Sequence, residues 1–171
     1  DTGSSLENLL TELSHLDGEF RLRVGMLNPM LVAGRSHEMA KAWGDSRTYK
    51  FMHLPIQSGS QKILDSMVRD HKLEEFWEVV NVFREHYPEM MIITDVITGF
   101  PGETDEDHQE TINLLEELLP DLVNVTRFSP RKGTPASRYK RINGRIIKKR
   151  SRELTVLRKE SVSYTHLRAH E

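Results

Sequence analysis

An α/β fold built on a parallel sheet is what this 171-residue sequence predicts, on three observations. Apolar residues alternate at strand spacing in some windows and recur at helical spacing in others. The two kinds of segment take turns along the chain, with helical stretches long enough for the right-handed crossovers that make a sheet parallel. Three of the four strand-like windows end in runs rich in Gly, Pro and small polar residues.

Leu6, Leu9, Leu10, Leu13 and Leu16 recur at helical spacing before Asp17-Gly18, so the chain opens with an amphipathic helix. Phe20, Leu22, Val24 and Met26 alternate and predict a first strand, ended by Asn28-Pro29. Met39 and Trp43 share one side of a short helix closed by Gly44-Asp45, and Tyr49 to Ile56 reads as the second strand. Ser58 to Gln61 has the Ser-x-x-Gln form of a capping box. A helix with Leu73, Phe76, Trp77, Val80 and Phe83 on its core face follows and stops at Tyr87-Pro88. The third strand is Met91 to Phe100. Thr104 then caps a helix whose first turn carries Asp105, Glu106 and Asp107, where the helix dipole favours acids. Its core face is Thr111, Ile112, Leu115, Leu118 and Leu119, Pro120 breaks it, and Leu122 to Phe128 is the fourth strand. A closed eight-unit barrel takes about 250 residues. Four strands therefore make either an open sheet or part of a barrel, with an exposed edge strand.

With 37% hydrophobic and 29% charged residues the chain has the composition of a soluble globular domain. Its longest apolar stretches, such as Met90 to Ile93, are far shorter than the roughly 20 residues of a membrane-spanning helix, so a cytoplasmic protein with no membrane partner is expected. There is no cysteine, so disulfides, thiolate metal sites and cysteine nucleophiles are excluded for this chain. The net charge is only −2, yet Arg138 to Arg152 holds eight Lys or Arg residues and no acid. Such a stripe suits an RNA phosphate backbone and equally a solvated helix surface.

The last ten residues, from Val162 to Glu171, lack apolar periodicity and follow a basic helical segment that ends near Glu160. A codon series for them resembles the transposon adapter of sequencing libraries, so 162–171 is set apart as an adapter-derived tail and His166 and His170 carry no metal hypothesis. The natural chain is expected to continue past Ser161.

In parallel α/β folds ligands bind at the carboxyl ends of the strands. Those ends are His53-Leu54-Pro55-Ile56-Gln57-Ser58-Gly59-Ser60, Asp95 to Thr104, and Phe128-Ser129-Pro130-Arg131-Lys132-Gly133-Thr134-Pro135-Ala136. Glycines let a flat ligand approach the backbone, and free N–H groups at helix starts receive anions. Ordinary turns use the same residues. His53, before a proline-containing run and without a second histidine at ligand spacing, reads as a satisfied core histidine.

In this order and spacing the runs resemble the second half of the radical S-adenosylmethionine methylthiotransferase core. Asp1-Thr2-Gly3 is similar to the exit of that family's second barrel strand and Arg21 to Pro29 to its third. The His-Leu-Pro-Ile-Gln-Ser-Gly-Ser run is similar to its fourth. Gly99-Phe100-Pro101-Gly102-Glu103-Thr104 is the most recognisable block, and Gly133-Thr134-Pro135-Ala136 follows at the family spacing. Thr98 stands where some relatives have cysteine and Lys132 where many have proline. The resemblance implies a partial (βα) barrel of the radical SAM type, truncated on the N-terminal side. Residues 1–145 then form the partial barrel and 146–161 a basic helical linker toward a C-terminal RNA-binding domain. The family's cofactors are S-adenosylmethionine and four-iron four-sulfur clusters, whose cysteine ligands are absent from this chain. This segment alone is thus expected to be inactive.

For individual residues the resemblance points to Gln57 and Ser58 as contacts to the cofactor's ribose and methionyl groups. It points to Asp95 as an interior carboxylate contacting the cofactor, and to Gly99 as the place where adenine meets backbone, with Phe100 or Phe128 packed nearby. Arg131, Lys132, Arg145, Lys148, Lys149 and Arg152 are the candidates for RNA. The third-strand run resembles most the type that acts on N6-threonylcarbamoyladenosine beside the tRNA anticodon. The isopentenyladenosine and ribosomal-protein types, and a cluster-free RNA-binding module, are the alternatives. Sulfur donor and electron donor are not legible.

Overall fold

The computed structural model describes the backbone of residues 5–168 and the side chains of residues 5–157. The stretch Asp1-Thr2-Gly3, the side chain of His166 and all of His170 lie outside the described residues. The elements are helices α1 (Leu6–Ser14), α2 (Pro29–Val32) and α3 (Ser36–Ala42), strand β1 (Phe51–His53), helices α4 (Gln61–Ser66) and α5 (Leu73–His86), strand β2 (Met91–Thr98), helix α6 (Asp105–Leu118), strand β3 (Leu122–Arg127), a 3-10 turn (Pro135–Arg138) and helix α7 (Gly144–Arg168). The strands lie side by side in the order β1-β2-β3, both pairings parallel. The expected α/β class with a parallel sheet is borne out. β3 is an edge strand whose Asn124, Thr126 and Arg127 are exposed.

The predicted first strand is a correction. Phe20 to Met26 forms two isolated parallel bridges, Leu22 with Thr48 and Met26 with His53. Between them the segment advances by four residues while its partner advances by five, so no continuous ladder can form. The predicted second strand is likewise cut to three residues, because Pro55 has no N–H for the ladder. The Thr94 hydroxyl fills that gap, donating to Leu54 O at 2.8 Å and accepting from Ile56 N at 3.1 Å. Pairing resumes at Gln57, whose N–H donates to Asp95 O at 2.8 Å.

Along β2 exposure alternates strictly: Ile92, Thr94, Val96 and Thr98 are buried under helices, while Met91, Ile93, Asp95 and Ile97 lie on the opposite, open face. Below the sheet the core is built from Trp43, Phe76, Phe83, Met52, Leu54, Leu118 and Leu154. Trp43 meets Phe83 edge-on with ring centroids 5.3 Å apart, and its indole N–H donates to Tyr49 O.

Several helical details depart from the sequence pattern. Leu6, Leu10 and Leu13 of α1 turn inward, but Leu9 and Leu16 are exposed. The Ser58–Gln61 capping box does not form: the helix starts after Ser60 without a side-chain cap, and Gln61 accepts instead from Leu73 N. The α6 cap residue is as expected, with the Thr104 hydroxyl accepting from Asp107 N, and the Asp107 carboxylate adds a bond that sequence did not predict by accepting from Thr104 N. Leu119 is exposed with a left-handed φ of 44°, and Leu114 takes its place in the core. α7 runs on through Arg168, past the expected end near Glu160, since no Gly or Pro stops it. No described helix is long and apolar enough to cross a membrane.

Gly59 is where the loop after β1 meets α6. A Cβ there would lie 2.5 Å from Glu110 O and 2.6 Å from Thr111 Cα, both backbone atoms that cannot swing aside. Gly59→Ala is expected to lower stability by about 1–3 kcal/mol, the usual cost of overpacking, read as a fall in the urea midpoint at unchanged slope.

Candidate functional site

The carboxyl end of the sheet gathers three loops: 54–60 after β1, 99–104 after β2 and 128–143 after β3. In the first, His53 pairs with Ile93 and Gln57 with Val96, so four residues of one strand face three of the other. The extra residue is a bulge, set up by Pro55, and it forces Gln57 to φ +71°, a left-handed conformation that costs a non-glycine residue about 1–3 kcal/mol. Gln57 is 8% exposed, and its carboxamide, without a hydrogen-bond partner among the described residues, still reaches solvent, unlike the Thr98 hydroxyl at the end of β2, which is fully buried and unpaired. A backbone-strained residue at a strand's carboxyl end, with a free amide open to solvent, is a feature of this site that packing does not explain.

Ser58 is placed differently. Its hydroxyl accepts from Ser60 N at 3.2 Å and lies 3.4 Å from Thr111 Oγ1, and Thr111 also accepts from Gly59 N at 2.9 Å. The side chain is 1% exposed and ties the loop to α6.

The second loop is held by a buried carboxylate. Glu103 accepts from Gly99 N at 2.9 Å and from Arg150 Nη1 of α7 at 2.5 Å, and Arg150 Nη2 donates to Asp105 at 2.7 Å. These bonds close the 99–103 turn on itself. The space above Gly99 is taken by Ile147, whose Cγ1 would sit 2.6 Å from a Cβ at that position, so the close approach expected for adenine is made by a side chain of α7. Phe100 is buried and packs edge-on against half-buried Phe128, with centroids 5.0 Å apart. Phe128 N–H donates to Thr98 O, continuing β3 beside the loop.

Asp95 sits on the open face one pleat below Gln57. His53 Nε2 lies 3.0 Å from one of its carboxylate oxygens, and Asn124 Nδ2 donates to the other at 2.8 Å. A polar row thus crosses all three strands. The interior carboxylate is paired within the chain, and His53, expected to be a core histidine, is its partner on the open face. Alternation in β2 is the signal that puts Asp95 on this face; nothing local in the sequence selects His53 or Asn124 as its partners.

The loops are joined through Asp107, a residue that sequence reasoning credited only to the helix dipole. It accepts from Ser60 Oγ at 2.8 Å and Lys62 Nζ at 2.6 Å as well as from Thr104. Of the RNA candidates, Arg131, Lys132, Arg145, Lys148, Lys149 and Arg152 are all exposed, and Lys149 lies 3.6 Å from Glu153. Arg131 and Lys132 lie in the loop after β3, the others on α7.

The radical SAM superfamily profile matches residues 5–115, and the chain belongs to that superfamily. A probable threonylcarbamoyladenosine tRNA methylthiotransferase of Pyrococcus horikoshii is 45% identical over 164 residues, covering 96% of this chain and 38% of the relative. One of Archaeoglobus fulgidus is 47% identical over 152 residues, covering 89% and 36%. The human threonylcarbamoyladenosine tRNA methylthiotransferase is 38% identical over 167 residues, covering 97% and 29%. This chain therefore spans less than two fifths of the length of these relatives. Among solved structures, coproporphyrinogen III oxidase of Escherichia coli, a radical SAM enzyme, superposes with a TM-score of 0.66 at 18% identity, covering 82% of this chain and 32% of that one, which shows a shared fold.

Burial raises the Asp107 carboxyl pKa, but bonds from Lys62, Thr104 and Ser60 outweigh it and hold the pKa at about 2, below the ordinary 3.8. A depressed carboxyl stabilises the fold above the unfolded pKa and loses that contribution as pH falls through the folded one. Stability from this group is thus full above pH about 4 and gone near pH 2, on the order of 2 kcal/mol. Urea titrations across that window should show Asp107→Asn less stable than the wild type at pH 6 and the difference shrinking toward pH 2.

Proposed function

We propose that this chain is the second half of the barrel of a methylthiotransferase that adds a methylthio group to N6-threonylcarbamoyladenosine in tRNA. The observation that carries the reading is the 45% identity over 164 residues to a relative so named. The strained and unpartnered Gln57 supports it from the geometry, because it offers an amide where parallel α/β folds receive ligands.

In this reading S-adenosylmethionine lies across the carboxyl end of the sheet. Gln57 meets its polar groups, Phe128 forms a wall, Ser58 and Gly99 hold the loops in shape, and Asp95 fixes His53 on the open face beneath. Iron–sulfur clusters are held by cysteine thiolates, and this chain has none, so the cluster's ligands belong to residues outside it. The radical chemistry is the cofactor's; these residues bind, orient and exclude water. The basic residues of α7 face the tRNA backbone, and the parent enzyme works in the cytoplasm.

Grafting residues 5–157 into the Pyrococcus horikoshii relative, in place of the matching segment, tests the assignment. The chimera is expected to convert N6-threonylcarbamoyladenosine in tRNA, read by mass spectrometry of digested nucleosides. A folded chimera that binds tRNA and makes no product would overturn the reading in favour of an RNA-binding module. Within the chimera Gln57→Ala is expected to weaken S-adenosylhomocysteine binding roughly tenfold with tRNA affinity unchanged.

For the α7 surface, the triple variant Arg145→Ala, Lys148→Ala, Arg152→Ala should weaken tRNA binding and flatten its log–log salt dependence by roughly 0.7 to 0.9 per lost phosphate contact. An unchanged slope would assign these charges to solvation alone.

A further inference from the structure

Between Arg127 and Arg152 the chain has eleven Lys or Arg residues and not one Asp or Glu in twenty-six positions. The structure separates these cations. Arg150 is buried against Glu103 and Asp105, and Lys149 is paired with Glu153. The other nine have no carboxylate partner among the described residues, and six of them, Arg127, Arg131, Lys132, Arg138, Lys140 and Arg141, precede α7 rather than lie on it. The densest unneutralised charge is therefore in the loop after β3, beside the candidate site, and not on the helix.

That loop is shaped by bonds to itself. Thr134 N and Oγ1 donate to Arg131 O, Ser137 N and Oγ donate to Thr134 O, and Tyr139 N donates to Ala136 O. Between exposed Arg138 and Lys140 it carries Tyr139, 48% exposed, which has no ring or hydroxyl partner among the described residues. Flexible cations track phosphates, and an exposed ring among them offers a π-face to a base that is not already stacked. The absence of acid and of an apolar face favours a nucleic acid over a peptide or a membrane. The solvent-open ring favours unpaired nucleotides over a duplex, whose bases stack only on each other.

We infer that the loop 129–143 is a binding site for unpaired RNA nucleotides, with Tyr139 stacking on a base and Arg131, Lys132, Arg138, Lys140 and Arg141 meeting the flanking phosphates. The inference rests on the proposed RNA substrate and extends it: the nucleotide next to the one being modified is gripped by this loop, which begins at Phe128 in the candidate site.

The test uses the full chain and fluorescence anisotropy with a labelled RNA stem-loop, and with the same strand annealed to its complement. Tyr139→Ala should weaken stem-loop binding about tenfold, the scale of one lost base stack, at unchanged salt slope, while Tyr139→Phe and Tyr139→Trp bind as the wild type does. Duplex binding should be unaffected by all three. Equal stem-loop affinity for wild type and Tyr139→Ala would overturn the stacking role and leave RNA binding standing. Equal weakening on stem-loop and duplex, or a Tyr139→Phe loss as large as that of Ala, would overturn it too. A wild-type chain that binds neither RNA at low salt would instead remove the RNA reading itself.

Discussion

The first turn of α6 holds the carboxyl end of the sheet together, and the loops after β1 and β2 depend on it. Asp107, three residues into the capping box, reaches past its own cap to Ser60 and Lys62 at the start of α4. Just upstream, Glu103 folds back onto Gly99 N and is gripped by Arg150. Two mostly buried carboxylates, each with several donors, thus fix the loops after β1 and β2 to one helix end. Burial of a carboxylate is unfavourable unless its lone pairs are filled, and here they are filled by the groups that have to be held in place.

With the loops held, strain can be placed where the ligand is expected. The bulge at Pro55 breaks the ladder, Thr94 repairs the backbone bonding, and the residual strain falls on Gln57. Beneath it the His53–Asp95–Asn124 row binds three strands through side chains on the face that helices do not cover. The apolar residues of β2 on that open face, Met91, Ile93 and Ile97, mark it as a surface shaped for enclosure, as the interior of a barrel would be.

α7 has two sides with separate tasks. Ile147, Arg150 and Leu154 face inward, packing over Gly99, holding Glu103 and entering the core. Arg145, Lys148 and Arg152 face outward. A run of basic residues with no acid looks uniform in one dimension. Only packing shows that Arg150 is a buried structural ion and its neighbours are not.

The sequence by itself determined the fold class, most helix positions and the loops at which function is sought, because these follow from local periodicity, capping chemistry and Gly/Pro placement. β2, α5 and the Thr104 cap of α6 could be read directly. Tertiary structure decided what depends on partners distant along the chain. The first strand fails because its register is off by one residue against Thr48 to His53. Ser58 ties to Thr111 rather than capping a helix, and Gly99 makes room for Ile147. Asp95 finds both of its partners on neighbouring strands. Register, close approach and the pairing of buried charges are properties of two segments at once, and a pattern along one segment does not contain them.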